Sequence, residues 1–196
     1  MRWPMTVLPI REMGDPVLRE VAREVTPEEL ASPEVQRLID DMIETVREAN
    51  GAGLAAPQVG VSKRIAVIEV RPGNPRYPYK PPIPLTVIVN PELRPLDEVT
   101  FATNEGCLSM PNVRGDLERF ENVEARYLDR HGEAHTVTRR GLTAGTFQHE
   151  VDHLDGILFV DRMADMRSLS TWEEFERHGK AEFLARVEAL VARVGS

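Results

Sequence analysis

The residues best suited to chemistry lie in one short run, His149-Glu150-Val151-Asp152-His153. On a helix of 3.6 residues per turn, two imidazoles four apart project from one face and can hold a single metal ion. Glu150 stands beside them, placed to take a proton from a water without itself ligating the metal, which is what hydrolysis requires. Two imidazoles do not complete such a centre, so its class turns on a third ligand. The pattern H-E-x-x-H-x-x-G-x-x-H of one metalloprotease group is followed through Gly156, but Phe159 stands where histidine is needed. A second protease group takes a glutamate from a following helix, and Glu173 or Glu174 lies at a suitable distance. The remaining candidate is the lone cysteine, Cys107, in Glu105-Gly106-Cys107-Leu108-Ser109, whose thiolate suits zinc or iron.

These residues need elements to position them. Residues near 143 to 155 read as a helix, with Val151 and Leu154 on its apolar side and Asp155-Gly156 as its stop. Ahead of it, Asp15 followed by Pro16 predicts a short helix over VLREVAREV, and Ser32-Pro33 predicts a longer one. In the latter Val35, Leu38, Ile39, Met42, Ile43, Val46 and Ala49 form one stripe ending at Asn50-Gly51. The middle of the chain changes to short β-branched runs at 64–70, 85–90, 99–104, 121–128 and 134–139, which predict strands. Between the first two, the prolines of residues 71–85 predict an extended surface loop. The tail from Thr171 opens on a capping-box pattern and carries Phe175, Phe183, Leu184, Val187, Leu190, Val191 and Val194 at helical spacing, interrupted at Gly179.

The bulk numbers narrow the class. A chain of 196 residues with 41% apolar and 29% charged residues predicts one domain, 1–196, with a helical tail over about 171–194. No apolar run approaches the ~20 residues that span a bilayer, and Pro4 and Pro9 break the N-terminal stretch that a secretion signal would need, which predicts a cytoplasmic protein. One cysteine excludes an intrachain disulfide. A formal charge of −8 argues against a broad nucleic-acid-binding face, so no DNA binding is expected.

A further block, Gly51-Ala52-Gly53-Leu54-Ala55-Ala56-Pro57-Gln58, follows the long helix and ends in a side-chain amide. It lacks the Lys-Ser/Thr of a phosphate loop, and it follows a helix where a dinucleotide fingerprint should follow a strand. Together with Glu105-Gly106-Cys107-Leu108-Ser109 and the run from Gln148 to Gly156, it makes three co-linear motifs that resemble the peptide deformylases. The resemblance extends from about Asp15 to Asp161. It implies an α+β fold, with mixed and largely antiparallel strands wrapped around the metal-binding helix, N-terminal helices outside and a C-terminal helix. The activity it implies is removal of the N-formyl group from the formylmethionine that begins newly made proteins.

The resemblance also implies the site. Cys107, His149 and His153 would ligate one divalent metal, iron(II) by family habit, with zinc, nickel or cobalt accepted. Glu150 would be the proton carrier, and Gln58 with the Leu108 backbone N–H would meet the developing oxyanion. An N-formylmethionyl peptide would lie as an added strand along Ala52-Gly53 and Glu105-Gly106. Leu142, Gly145 and Thr146 would wall the methionine pocket, more open where many relatives carry a residue larger than Gly145. Arg114 would hydrogen-bond the site from behind, whereas Arg119, also recurrent in the family, is left outside it. His131 and His135, also four apart, sit around a turn, and His178 is read as solvated. The tail's Arg177, Lys180, Arg186 and Arg193 are compatible with transient ribosome contact. The rival functions are a zinc endopeptidase using Glu173 or Glu174 and a non-catalytic binder of formylated chains, the latter disfavoured by retention of Glu150 and Gln58.

Overall fold

The computed structural model describes residues 6–196, so Pro4, one of the two prolines breaking the N-terminal stretch, lies outside the described residues. Asp15 accepts the Val17 N–H and Pro16 opens a single 3-10 turn, Pro16–Arg19. The helix expected over the rest of VLREVAREV does not form, because its backbone groups are claimed elsewhere. Ala22 N–H donates to the Leu154 carbonyl and the Arg23 carbonyl accepts from Arg64 N–H, each at 2.8 Å.

Thr26 caps α1 (Pro27–Leu30) and Ser32 caps α2 (Pro33–Glu48), where the expected stripe buries Val35, Ile39, Met42, Ile43 and Val46. The strands are β1 (Gly53–Ala55), β2 (Ile65–Val70), β3 (Ile83–Pro95), β4 (Thr100–Cys107), β5 (Met110–Phe120), β6 (Asn122–Leu128) and β7 (Ala134–Arg140). They form a five-stranded antiparallel sheet, β1-β2-β3-β6-β7, and a smaller sheet in which β5 lies between β4 and β8 (Ser170–Thr171). Each predicted run lies within or largely overlaps a strand. Strand β5 was not predicted: Pro111, Gly115 and alternating charges hide it, and its pairing with β4 from Thr100↔Phe120 to Gly106↔Arg114 defines it.

Strand β2 shows why the sheet stays in place. Successive side chains point to opposite faces. Ile65 and Val67 pack toward α2, whereas Ala66 and Ile68 pack toward the helix α3 (Gly141–Leu154). Phe147, Val151 and Leu154 of α3 meet Ile88, Ala125 and Tyr127 of the same sheet, and Leu142 meets Phe101 of the smaller one. The strands therefore flank the helix that carries both histidines, and the α+β architecture is as expected. Beyond its end, Gly156 has φ +72°, and a Cβ there would come within 2.7 Å of the Arg19 carbonyl oxygen, so the chain requires glycine.

Thr171 caps α4 (Trp172–Glu174), which widens into a π turn, Phe175–Gly179, and continues as α5 (Lys180–Val194). Gly179 thus ends a wide turn where an interruption was expected. Phe175, Phe183, Val187 and Leu190 dock against Phe101 and Leu142. The proline-rich segment is irregular up to Ile83, as expected, but it is not wholly on the surface: Tyr77 is buried in the core cluster that includes Phe147. Among the described residues, no helix is long and apolar enough to cross a membrane.

Candidate active site

Cys107 ends β4 and faces the inner side of α3, where His149 and His153 are one turn apart. One ligand atom from each of the three lies within 4.8 Å of the others, and Cys107 Sγ is 3.2 Å from His153 Nε2. The imidazole rings stand edge to face at 4.9 Å. Burial opposes ionisation of the thiol, but His153 and His149 outweigh it and hold the Cys107 pKa well below its usual value. The Ser109 N–H, 3.3 Å from Sγ, favours the same charge state. A thiolate and two imidazoles converging in a buried space suit a divalent metal such as zinc or iron, so the donor set fits.

Position separates the candidates for a third ligand. Glu173 and Glu174 are exposed and both pair with Arg177, whereas Cys107 is 2% exposed beside the histidines.

Behind these three residues lies a charge network centred on the buried Arg119. His149 Nδ1 is 2.8 Å from Glu105 Oε2, which fixes the ring and turns Nε2 inward. Arg119 donates to both Glu105 oxygens at 2.9 Å and to Asp152 at 2.5 Å, and Arg162 donates to Asp152 at 2.6 Å. Burial raises the cost of charge on Glu105, but Arg119 and His149 more than offset it and hold the carboxyl far below its ordinary range. Arg119, left outside the site by the sequence reading, thus anchors the carboxylate that holds His149. The signal for it was its place beside Leu117 on the buried face of β5, visible only once that strand is known. Arg114 reaches the site less directly: fully buried, it donates to the Asn104 side chain and carbonyl and stacks between Trp172 and Phe175. It braces the strand leading to Cys107.

Glu150 is buried, which pushes its carboxyl above the usual range, and its Oε2 has no hydrogen-bond partner among the described residues. A Cβ on Gly53 would collide with this carboxyl, so any side chain at 53 would displace Glu150 from its place. Gln58 is held by its Oε1, which accepts the Ala55 N–H at 2.8 Å. Its Nε2 donates to Ser109 Oγ at 3.1 Å and more weakly to Cys107 Sγ at 3.5 Å.

A pocket extends from these groups along α3. Ala52, Gly53, Gln58, Glu105, Gly106, Leu108, Leu142, Gly145 and Thr146 line it, so the structure brings together the residues singled out in the sequence. The openness expected from Gly145 is not found: Phe101 Cζ lies 3.2 Å from where a Cβ would be, filling the space a larger side chain would take. Tyr77, Tyr79 and Lys80 of the proline-rich segment add a wall that sequence reading missed, although two tyrosines in a loop hint at burial. His131 lies in an exposed turn, and His135 bonds Asp129 at 3.1 Å and stacks on Tyr127, apart from this site. His178 is exposed and pairs with Glu174.

Comparison with known proteins gives a consistent answer. Residues 7–168 match the polypeptide deformylase family. Peptide deformylase 2 of Nostoc sp. is 42% identical, over 87% of this chain and 93% of that one. The crystal structure of a class I type b peptide deformylase from Acinetobacter baumannii with Met-Ala-Ser bound is 43% identical, with a TM-score of 0.78 over 82% of this chain and 100% of the other. An actinonin complex of a peptide deformylase from Synechococcus elongatus spans 100% of this chain and 90% of its own at 31% identity and a TM-score of 0.71. With three motifs, the fold and these likenesses in agreement, the chain belongs to the peptide deformylase family, hydrolases that remove the N-formyl group from nascent proteins.

Proposed function

We propose that Cys107, His149 and His153 hold one divalent metal, iron(II) in the native state with zinc, nickel or cobalt able to replace it, and that Glu150, Gln58 and Leu108 carry deformylation of N-formylmethionyl peptides. The observation behind this reading is the convergence of Cys107 Sγ and His153 Nε2 at 3.2 Å with His149 close by, where Cys107 and His149 line one pocket with a buried Glu150 whose Oε2 lacks a partner among the described residues. When bound, the metal supplies the Lewis acidity that lets water lose a proton near neutral pH.

The residues do the rest. Strand β1 ends the order of the larger sheet and β4 that of the smaller, and both line the pocket, so an extended peptide has two edges to pair with. Ala52-Gly53 and Glu105-Gly106 offer the backbone for it. Glu150 accepts the proton of the attacking water and returns it to the amine nitrogen as the formyl C–N bond breaks, leaving formate and a free N-terminus. Charge on the formyl oxygen is met by the Leu108 N–H and by Gln58 Nε2, whose long contact to sulfur is the one a substrate oxygen replaces. Each such donor contributes about 3 kcal/mol to transition-state stabilisation. Leu142, Gly145 and Thr146 wall the pocket for the first side chain, and Arg114 supports it through Asn104.

We place this activity in the cytoplasm and assign it to the whole chain as one catalytic domain, since α5 packs on the residues that wall the pocket. Ribosome contact is transient: Arg177, Lys180, Arg186 and Arg193 each have an acidic partner within the chain, leaving little unpaired charge for docking.

Titration of metal-free protein with cobalt(II) tests the ligand set. One equivalent should bind with a sulfur-to-cobalt charge-transfer band, and Cys107→Ala should lose both the band and tight binding. A wild-type complex without that band, or a Cys107→Ala variant with unchanged affinity, would contradict the assignment.

A further inference from the structure

The far end of the pocket is not apolar. Lys80 Nζ donates to Thr146 Oγ1 at 2.9 Å, and the Thr146 hydroxyl in turn donates to the Leu142 carbonyl at 2.9 Å. The amine also stands 5.0 Å from the Tyr77 ring centroid. Among the described residues Thr146 Oγ1 is thus the one hydrogen-bond acceptor the amine has, and an amine has more than one N–H to give, in either protonation state. Thr146 precedes Glu150 by one turn of α3, about 6 Å along the axis. A side chain as long as methionine's, entering from the Glu150 end between Leu142 and Phe101, therefore ends near this amine.

Methionine has only a weak acceptor, its thioether sulfur, to offer such a donor. Its sulfoxide has the same chain length and adds one strongly polar oxygen on the sulfur. Building on the deformylase reading, we propose that Lys80 and Thr146 are a specificity-determining pair, which lets this enzyme accept formyl peptides whose first residue is methionine sulfoxide. The sulfoxide oxygen accepts a hydrogen bond from Lys80 Nζ and passes through the reaction unchanged, because only the formyl C–N bond is hydrolysed. In a pocket lined by carbon alone, the same oxygen would be buried without a donor and rejected. Because the amine approaches from one side, the two sulfoxide epimers should be turned over at different rates.

The test is the ratio of kcat/KM for formyl-Met(O)-Ala-Ser to that for formyl-norleucyl-Ala-Ser. It is measured with metal-loaded wild type, Lys80→Met and Thr146→Val. Because the ratio is internal to each protein, a general loss of folded enzyme does not move it. Wild type should use the two peptides comparably, and Lys80→Met should lower the ratio by ~10–100-fold, the cost of leaving the buried sulfoxide oxygen without its donor. Thr146→Val, which frees the lysine from its tether, should lower it less. A wild-type enzyme that already rejects the sulfoxide by that factor overturns the proposal, and so does a ratio unmoved in both variants. If wild type fails on the norleucyl peptide too, the deformylase site reading falls first, and this proposal with it.

Discussion

Glu150→Gln should lower kcat/KM on a formyl-Met peptide by ~10²–10⁴-fold while the chain still binds one metal. That loss is about 2.7–5.5 kcal/mol of transition-state stabilisation. The substitution keeps the size of the side chain and one carbonyl oxygen, so the packing against Gly53 survives, and what disappears is a group that can both take and return a proton. The wild-type carboxyl is suited to that exchange because burial raises its pKa and no donor among the described residues occupies Oε2. Removing Gln58 or misplacing the Leu108 N–H should cost about 3 kcal/mol, since each is one donor among several. Steady-state formate release with metal analysis on the same samples separates the cases. A Glu150→Gln enzyme within a few-fold of wild type would remove Glu150 from its role.

Arg119→Ala should have the largest effect on stability, about 3–5 kcal/mol, because it strands buried carboxylates. Arg119 is 3% exposed and its fork satisfies both oxygens of Glu105 while also reaching Asp152. Asp152 keeps Arg162, so most of the cost falls on Glu105. Freed from Arg119, Glu105 no longer holds the His149 ring in one orientation, and metal affinity should fall by ~10–100-fold. Arg119→Lys keeps the charge but not the paired donors, so it should recover part of the stability and less of the metal affinity. Denaturant unfolding and metal competition on both variants give the two numbers independently. If Arg119→Ala left both unchanged, the network would be incidental to the centre.

The contrast between Arg119 and the proposed ligands shows what a sequence displays. His149, Glu150 and His153 are legible because helical spacing alone brings them together, and α2 is legible because Ser32, Pro33 and a regular stripe all agree. Cys107 remains one of two candidates on spacing alone, since nothing local says which distant residue faces α3. Strand β5 is hidden because only Leu117 and Arg119 alternate inward over its second half, and one of these is charged. The helix expected after Asp15 fails because tertiary partners at Arg64 and Leu154 win the backbone hydrogen bonds. The same reasoning explains the pocket: Gly145 suggests space, but Phe101, forty-four residues away, fills it, and Tyr79 and Lys80 enter from a segment whose prolines suggest surface alone.

The central claim is that this chain hydrolyses the formyl group by means of a metal held at Cys107, His149 and His153. The most direct measurement is formate release from formyl-Met-Ala-Ser by protein prepared anaerobically, first stripped of metal and then given one equivalent of iron(II). The account predicts no release from the stripped protein and rapid release on reconstitution. Folded protein that binds iron(II) at these residues and releases no formate would contradict it.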